Sequence, residues 1–344
     1  MINMTNLIPY RKGNLWGYVD AQKNTIIPFE YEMADPFFEG LARVKKDNKF
    51  GFIDKNNTWI IPPIYNQTHA IFADEFLIAN LGSKKGVINK KGEEVIPFLY
   101  ERLRDFSEGL AVAQMNGKHG YIDKKGNHVF SFQYDYADNF RNGVAVVAKG
   151  ENQGYITKTG NERIFPKYSF FDGFSDGMAV TQDAKTLKYG FINATHQIVI
   201  PFQYDFAQNF LNGFASVEID GKYGIINTQG EEVIPIKYDS IASHSDTTFD
   251  DGLIAVELDG KWGYINLKDK IEIPLQYQSA GEFYKGYANV QQNDRWGIIN
   301  LKGEEVIPTK YESIFSLFEN GIACIMHKGA IGYIDEQGNE YFED

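Results

Sequence analysis

A short pattern, aromatic-Gly-aromatic-Ile-Asp/Asn with substitutions, recurs along the 344 residues. It centres on Gly17, Gly51, Gly86, Gly120, Gly154, Gly190, Gly224, Gly263, Gly297 and Gly332, at intervals of 34 to 39 residues. A fixed period of this size means one supersecondary unit stacked on copies of itself. It excludes the two or three unrelated domains that the length alone suggests.

Each unit reads as three short antiparallel strands. Strand a is a segment such as Leu110-Ala111-Val112-Ala113. The turn after it carries Asn116-Gly117, Asp220-Gly221 or Asp259-Gly260, pairs suited to the positive φ angles of a type I′ hairpin. Strand b is a segment such as Trp262-Gly263-Tyr264-Ile265-Asn266. Its closing Asp or Asn (Asp20, Asp54, Asn89, Asp123, Asn193, Asn227, Asn266, Asn300, Asp335) is the residue type that nucleates an Asx-turn. Strand c resembles Val95-Ile96-Pro97-Phe98-Leu99-Tyr100. Its recurring proline donates no ladder hydrogen bond and so marks an edge or a strand end. A loop with Phe-x-x-Gly closes the unit, as in Phe106…Gly109 and Phe140…Gly143, and its phenylalanine is expected to plug one repeat onto the next.

The predicted fold is therefore all-β: ten tandem three-stranded repeats of about 34 residues in a single array over 1–344. Their boundaries fall at 6–40, 41–75, 76–109, 110–143, 144–177, 178–213, 214–252, 253–286, 287–321 and 322–344. The chain opens inside a strand a (Leu7-Ile8-Pro9-Tyr10) and ends inside a strand c (Tyr341-Phe342), with no strand set aside to join one end to the other. That phase favours an open superhelical solenoid, with a closed propeller-like ring as the alternative.

Lys261-Trp262-Gly263-Tyr264-Ile265-Asn266 and Arg295-Trp296-Gly297-Ile298-Ile299-Asn300, with the Val-Ile-Pro and Phe-x-x-Gly elements, resemble the bacterial WG-repeat (KWG) family over essentially the whole chain. The tryptophan stands only at Trp16, Trp262 and Trp296. Phe50, Lys85, His119, Gln153, Tyr189, Tyr223 and Ile331 take its place elsewhere. The resemblance implies a binding scaffold and brings no catalytic residues.

Composition narrows the partners. Lys+Arg number 34 against Asp+Glu 46, a net charge of −12, which argues against nucleic acid or an anionic membrane as partner. Cys324 is the single cysteine, so no internal disulfide and no cysteine-based zinc site is expected. No signal-like segment and no apolar run of 18 residues appears, which makes a cytoplasmic protein, monomeric by default, the expectation.

Chemistry-bearing motifs are accidental or absent. Gly173-Phe174-Ser175-Asp176-Gly177 matches G-x-S-x-G but sits in the Phe-x-x-Gly register with no helix behind it. His119 and His128 flank one turn and could approach each other across strands b and c, yet two imidazoles make a poor zinc site. Glu93-Glu94, Glu231-Glu232 and Glu304-Glu305 sit at homologous turn positions, and because adjacent residues on a strand point to opposite faces they cannot act as one acid/base pair. The expectation is no enzyme, no cofactor and no metal.

Differences between repeats are where a partner would be read. Lys55, Lys90, Lys124 and Lys158 share one turn position in repeats two to five and predict a basic ridge. The tryptophan-slot residues Lys85, His119 and Gln153 fall in the same repeats. The loop Ser243-His244-Ser245-Asp246-Thr247 is extended, with His244 and Asp246 as candidate contacts, and the turn Asp183–Leu187 is two residues longer than its counterparts. The function expected is non-catalytic protein binding, in its sharpest form an immunity-type neutraliser of a partner such as a bacterial toxin. The alternative is a carbohydrate or cell-wall binder that stacks sugars on exposed aromatics.

Overall fold

The computed structural model describes residues 7–72, 75–165, 168–193, 197–242 and 252–343. These contain strands, turns and bridges and no helix, hence none long and apolar enough to cross a membrane. The chain divides into two compact units, Met1–Ile164 with Tyr341–Asp344, and Phe165–Glu340.

Both units are built from the same antiparallel sheet, which has four strands where three are expected from sequence. In the first unit, Arg102–Leu103, Leu110–Met115, Lys118–Asp123 and His128–Tyr134 lie side by side in that order. In the second, Phe206–Ala207, Phe214–Ile219, Lys222–Asn227 and Glu232–Tyr238 do the same. The added strand, termed d, is two residues long in both and begins one residue beyond the tyrosine that ends the preceding strand c. Two residues cannot display a period of two, so hydrophobic alternation could not reveal it. It pairs through contacts such as Arg102 opposite Gln114 and Leu103 opposite Ala113.

Strand b shows how the sheets are held. Tyr121 and Ile122 are adjacent and point to opposite faces, yet both are fully buried. Each sheet is therefore covered on both sides. The phenylalanine of Phe-x-x-Gly supplies much of that cover, as expected: it packs on the strand-b aromatic of the preceding sheet. Ring centroids lie 4.8 Å apart for Tyr18 and Phe37, 4.9 Å for Tyr121 and Phe140, and 4.7 Å for both Phe191–Phe210 and Tyr264–Phe283. Where strand b offers Tyr18, Tyr121 or Tyr264, its hydroxyl also donates to a loop carbonyl, Asp35, Asp138 or Gly281.

Strand c is an edge strand and is bulged opposite the repeat glycine. Trp262 faces Tyr277 and Tyr264 faces Ile273, so two residues on strand b span four on strand c. The proline Pro274 lies in that bulge, where no ladder donor is needed. The bulge presses strand c onto strand b: a Cβ on Gly263 would stand 2.6 Å from the Pro274 carbonyl oxygen, and one on Gly17 2.5 Å from that of Ile27. Glycine is required here for close approach, at ordinary φ.

The Phe-x-x-Gly loop is itself a hairpin. Its last two residues both have positive φ, as at Glu108 and Gly109 (51° and 87°) or Asn212 and Gly213 (52° and 85°).

One expectation about the ends is overturned. The last strand, Glu340–Glu343, runs parallel to the first, Ile8–Lys12, with Arg11 opposite Phe342 and Lys12 opposite Glu343. The Tyr10 hydroxyl donates to Glu343 at 2.9 Å, and Lys12 Nζ lies 3.4 Å from the same carboxylate. The phase of the strands along the sequence shows which strand ends the chain and not which neighbour it meets.

Two substitutions test this packing. Gly263→Ala forces backbone apart and is expected to cost about 1–3 kcal/mol, the usual penalty of overpacking. Phe140→Ala, which empties a fully buried plug, is expected to cost about 3–5 kcal/mol. Urea midpoints compared with wild type check both.

Candidate functional site

Each sheet has two ends, and they are built differently. One end carries the a–b turns and the c-to-d connections. The other carries the b–c turns and the Phe-x-x-Gly loops. The Asx column lies at the second end and is spent on its turn: Asp123 Oδ1 accepts from the N–H of Lys125 and Asn127, both at 2.9 Å, and Asn227, Asn300 and Asp335 repeat the arrangement.

The four ridge lysines stand beside that column, and most of their contacts reach back to the preceding sheet. Lys90 Nζ lies 2.8 Å from Glu39 and 2.6 Å from Glu75. Lys124 Nζ sits 6.0 Å from the centroid of the Phe76 ring. Lys158 donates to the Glu108 carbonyl at 2.9 Å and pairs with its carboxylate at 2.8 Å. Lys55 is half-buried. Glu39, first among its partners, raises the Lys90 pKa, and Lys158 chiefly holds Glu108 below the usual carboxylate range. Glu39 and Glu108 both occupy the left-handed region, with φ of 48° and 51°, a conformation uncommon for glutamate. Lys90, Lys124 and Lys158 thus fasten neighbouring sheets of the first unit.

Lys85, His119 and Gln153 lie at the other end, at the start of strand b, five residues along the strand from the lysines that follow them. The structure therefore does not join the two sets into one patch. His119 Nδ1 lies 3.1 Å from the Asp135 carbonyl, and burial holds its pKa below the usual imidazole range. His128 faces Ile122 while His119 faces Tyr134, at opposite ends of the b–c pair. The expected approach of these two histidines is overturned, because the bulge and the strand length separate them. His244 and Asp246, with the extended loop, lie outside the described residues. Ser175 ends a strand and turns directly into the strand Met178–Asp183, with no helix behind it. Among the described residues no three His, Cys, Asp or Glu side chains come together as metal ligands. Trp16 is buried, and Trp262 is half-buried against the core.

Sequence reading missed a recurring device at the a–b end. The residue after each strand-c tyrosine accepts a hydrogen bond from a turn N–H of the next a–b hairpin. Glu32 takes Asn48, Asn66 takes Gly82, Glu101 takes Gly117, Asp135 takes Gly150, Asp205 takes Asp220, Asp239 takes Asp259, Gln278 takes Asp294 and Glu312 takes Gly329, all at 2.7–2.9 Å. Five of these carboxylates also hold the cation that opens strand b of the preceding sheet: Lys84–Glu101, Lys118–Asp135, Lys188–Asp205, Lys222–Asp239 and Arg295–Glu312. Each is a staple between adjacent sheets. Its signal was present in the sequence, as Tyr followed by an acid or amide and as Lys before the aromatic-Gly pair.

The chain belongs to the WG-repeat family. The description "WG containing repeat" matches residues 16–50, 50–84, 86–118, 120–152, 154–183, 189–223, 223–262, 262–296 and 296–329. No curated protein matches the sequence. Among solved structures the chain is similar to a eukaryotic initiation factor, at 11% identity over 98% of this chain and 95% of that one, with a TM-score of 0.53. That likeness is one of fold. Kluyvelomyces marxianus Hsv2 is similar at 11% identity over 66% of this chain and 88% of its own, with a TM-score of 0.39. The dihydro-heme d1 dehydrogenase NirN is similar at 12% identity over 90% and 74%, with a TM-score of 0.38.

The staples set the response to acid. The turn N–H groups, foremost at Glu101, Asp135 and Glu312, and the lysines, foremost at Asp205 and Asp239, hold these carboxylates below the usual range. A depressed folded pKa contributes stability that is complete above the ordinary carboxylate pKa and is lost as pH falls through the folded value. Asp239→Asn keeps an acceptor for the turn but cannot titrate. It is expected to narrow the stability difference between pH ~6 and pH ~3, measured by urea denaturation. An unchanged difference would remove Asp239 from the acid response.

Proposed function

We propose that the chain is a non-catalytic protein-binding repeat scaffold, and that its use is to occlude a partner protein in the manner of an immunity-type neutraliser. One observation carries the reading. The positions that repeats share are spent on packing one sheet against the next, while one equivalent surface position differs from sheet to sheet. The penultimate residue of strand a, for instance, is half-buried Lys45, Asn80, Gln114, Glu218 or Gln291 in five of the sheets. A scaffold whose architecture is independent of its surface can vary that surface to fit a partner. The net charge of −12 supports a partner with a basic face, such as the groove of an enzyme that handles nucleic acid.

The test is affinity capture of the tagged chain from its own cells at low and high salt, with mass spectrometry of what is retained. One stoichiometric protein, released at high salt, is the expected result. Absence of any protein partner, with retention on polysaccharide resin, would sink the scaffold reading in favour of sugar binding.

A further inference from the structure

The charge is not spread along the chain. The second unit, Phe165–Glu340, contains 25 acidic and 13 basic residues, whereas the remainder of the chain holds 21 of each. The whole net charge of −12 thus belongs to the second unit.

Part of that excess lies on a surface that also exposes aromatic rings. At the a–b end, Phe206, Glu218 and Tyr223 stand directly opposite one another on three adjacent strands and share a face of their sheet. In the next sheet Ser240, Glu257 and Trp262 repeat the row. Phe206 is 37% exposed, and its ring meets that of Tyr189, from the sheet before, at 5.7 Å. Tyr223 and Trp262 are half-buried, as are both glutamates. Beside each row a turn adds a carboxylate, Asp220 or Asp259.

Glu218 accepts a hydrogen bond from the Tyr223 hydroxyl in its own row, but the fold elsewhere does without these charges. The position of Glu218 and Glu257 is held in the first unit by Lys45, Asn80, Gln114 and Ala148. Asp220 and Asp259 adopt φ of 51° and 53°, which the neutral Asn116 adopts equally at 52°. The staple carboxylates of the same end, Asp205 and Asp239, are matched by Lys188 and Lys222. Among the described residues, Asp220 and Glu257 form no ion pair.

We propose that this row, from Tyr189 through Phe206, Glu218 and Tyr223 to Glu257 and Trp262, is the docking surface for the partner, and that the partner presents an arginine- or lysine-rich face to it. Charge complementarity supports that occupant over an acidic one. A cation lying over a ring face while its hydrogen bonds go to a neighbouring carboxylate also matches the alternation of aromatic and acid. The inference rests on the scaffold reading and assigns it a surface.

The test uses the full chain with deca-arginine as the probe, followed by fluorescence anisotropy at ~50 and ~300 mM salt. Glu218→Gln with Glu257→Gln is expected to weaken binding at least ~tenfold at low salt. Glu304→Gln with Glu305→Gln removes the same charge from the b–c end of the same unit and is expected to change it less than ~twofold. Equal weakening by the two double variants would show attraction to net charge alone and overturn the proposal, as would failure of the peptide to bind. The capture experiment separates the two readings. A partner retained equally by wild type and by the Glu218/Glu257 variant removes this surface and leaves the scaffold standing. Site-dependent peptide binding with no captured protein leaves the surface and removes the protein partner.

Discussion

The rest of the structure depends on the missing side chain at the repeat glycine. Without a Cβ on Gly263, strand c closes onto strand b to within what would be 2.6 Å of that atom. The closeness accommodates the two-residue bulge, and the bulge accommodates the proline, which would otherwise leave a gap in the ladder. The bulge also sets the register that brings the strand-c tyrosine opposite the tryptophan slot, as Tyr277 opposite Trp262. From there the tyrosine hydroxyls reach the next sheet: Tyr31 donates to Asn57 at 2.6 Å, Tyr134 to Glu162 at 2.8 Å, and Tyr311 to Glu340 at 2.9 Å. Burial, above all, pushes the Tyr31 pKa up to about 12, so its hydroxyl remains a donor at any ordinary pH.

Four kinds of fastening then join neighbouring sheets, and they differ in what disturbs them. The phenylalanine plugs are apolar and indifferent to salt and pH. The tyrosine hydrogen bonds are shielded. The acid staples at the a–b end, and the lysine clamps at the b–c end of the first unit, are exposed, screened by salt and, for the acids, lost in acid. This division leaves a packed interior that is the same in each sheet beneath a polar surface that varies. It also explains why a lysine column that reads as a ridge is better understood as hardware: Lys90 and Lys158 stand where the preceding loop offers Glu39 and Glu108.

Much of the fold was legible because its units repeat. The a and b strands, the hairpin turns, the Asx column and the phenylalanine plugs each left a residue type at a fixed offset, and each lies where that type implies. Strand d left none, since two residues carry no alternation. The staples left a pattern, Tyr-acid and Lys-aromatic-Gly, but its meaning requires knowing that a residue after strand c meets the turn of the following sheet. Of the candidate site, the ridge lysines share one end, beside the Asx column. Their separation from Lys85, His119 and Gln153 was hidden, because nearness in sequence along an extended strand becomes distance in space.

The sequence by itself determined most of the unit: its length, its a, b and c strands, its turns and the glycine about which strand c bends, because these depend on contacts a few residues apart. Only the tertiary structure decided which units of surface meet. It brought Glu108 to Lys158, the last strand to the first, and the rings of Tyr189 and Phe206 together beside Glu218. Those neighbours come from different sheets, and no local periodicity records the stacking that places them side by side.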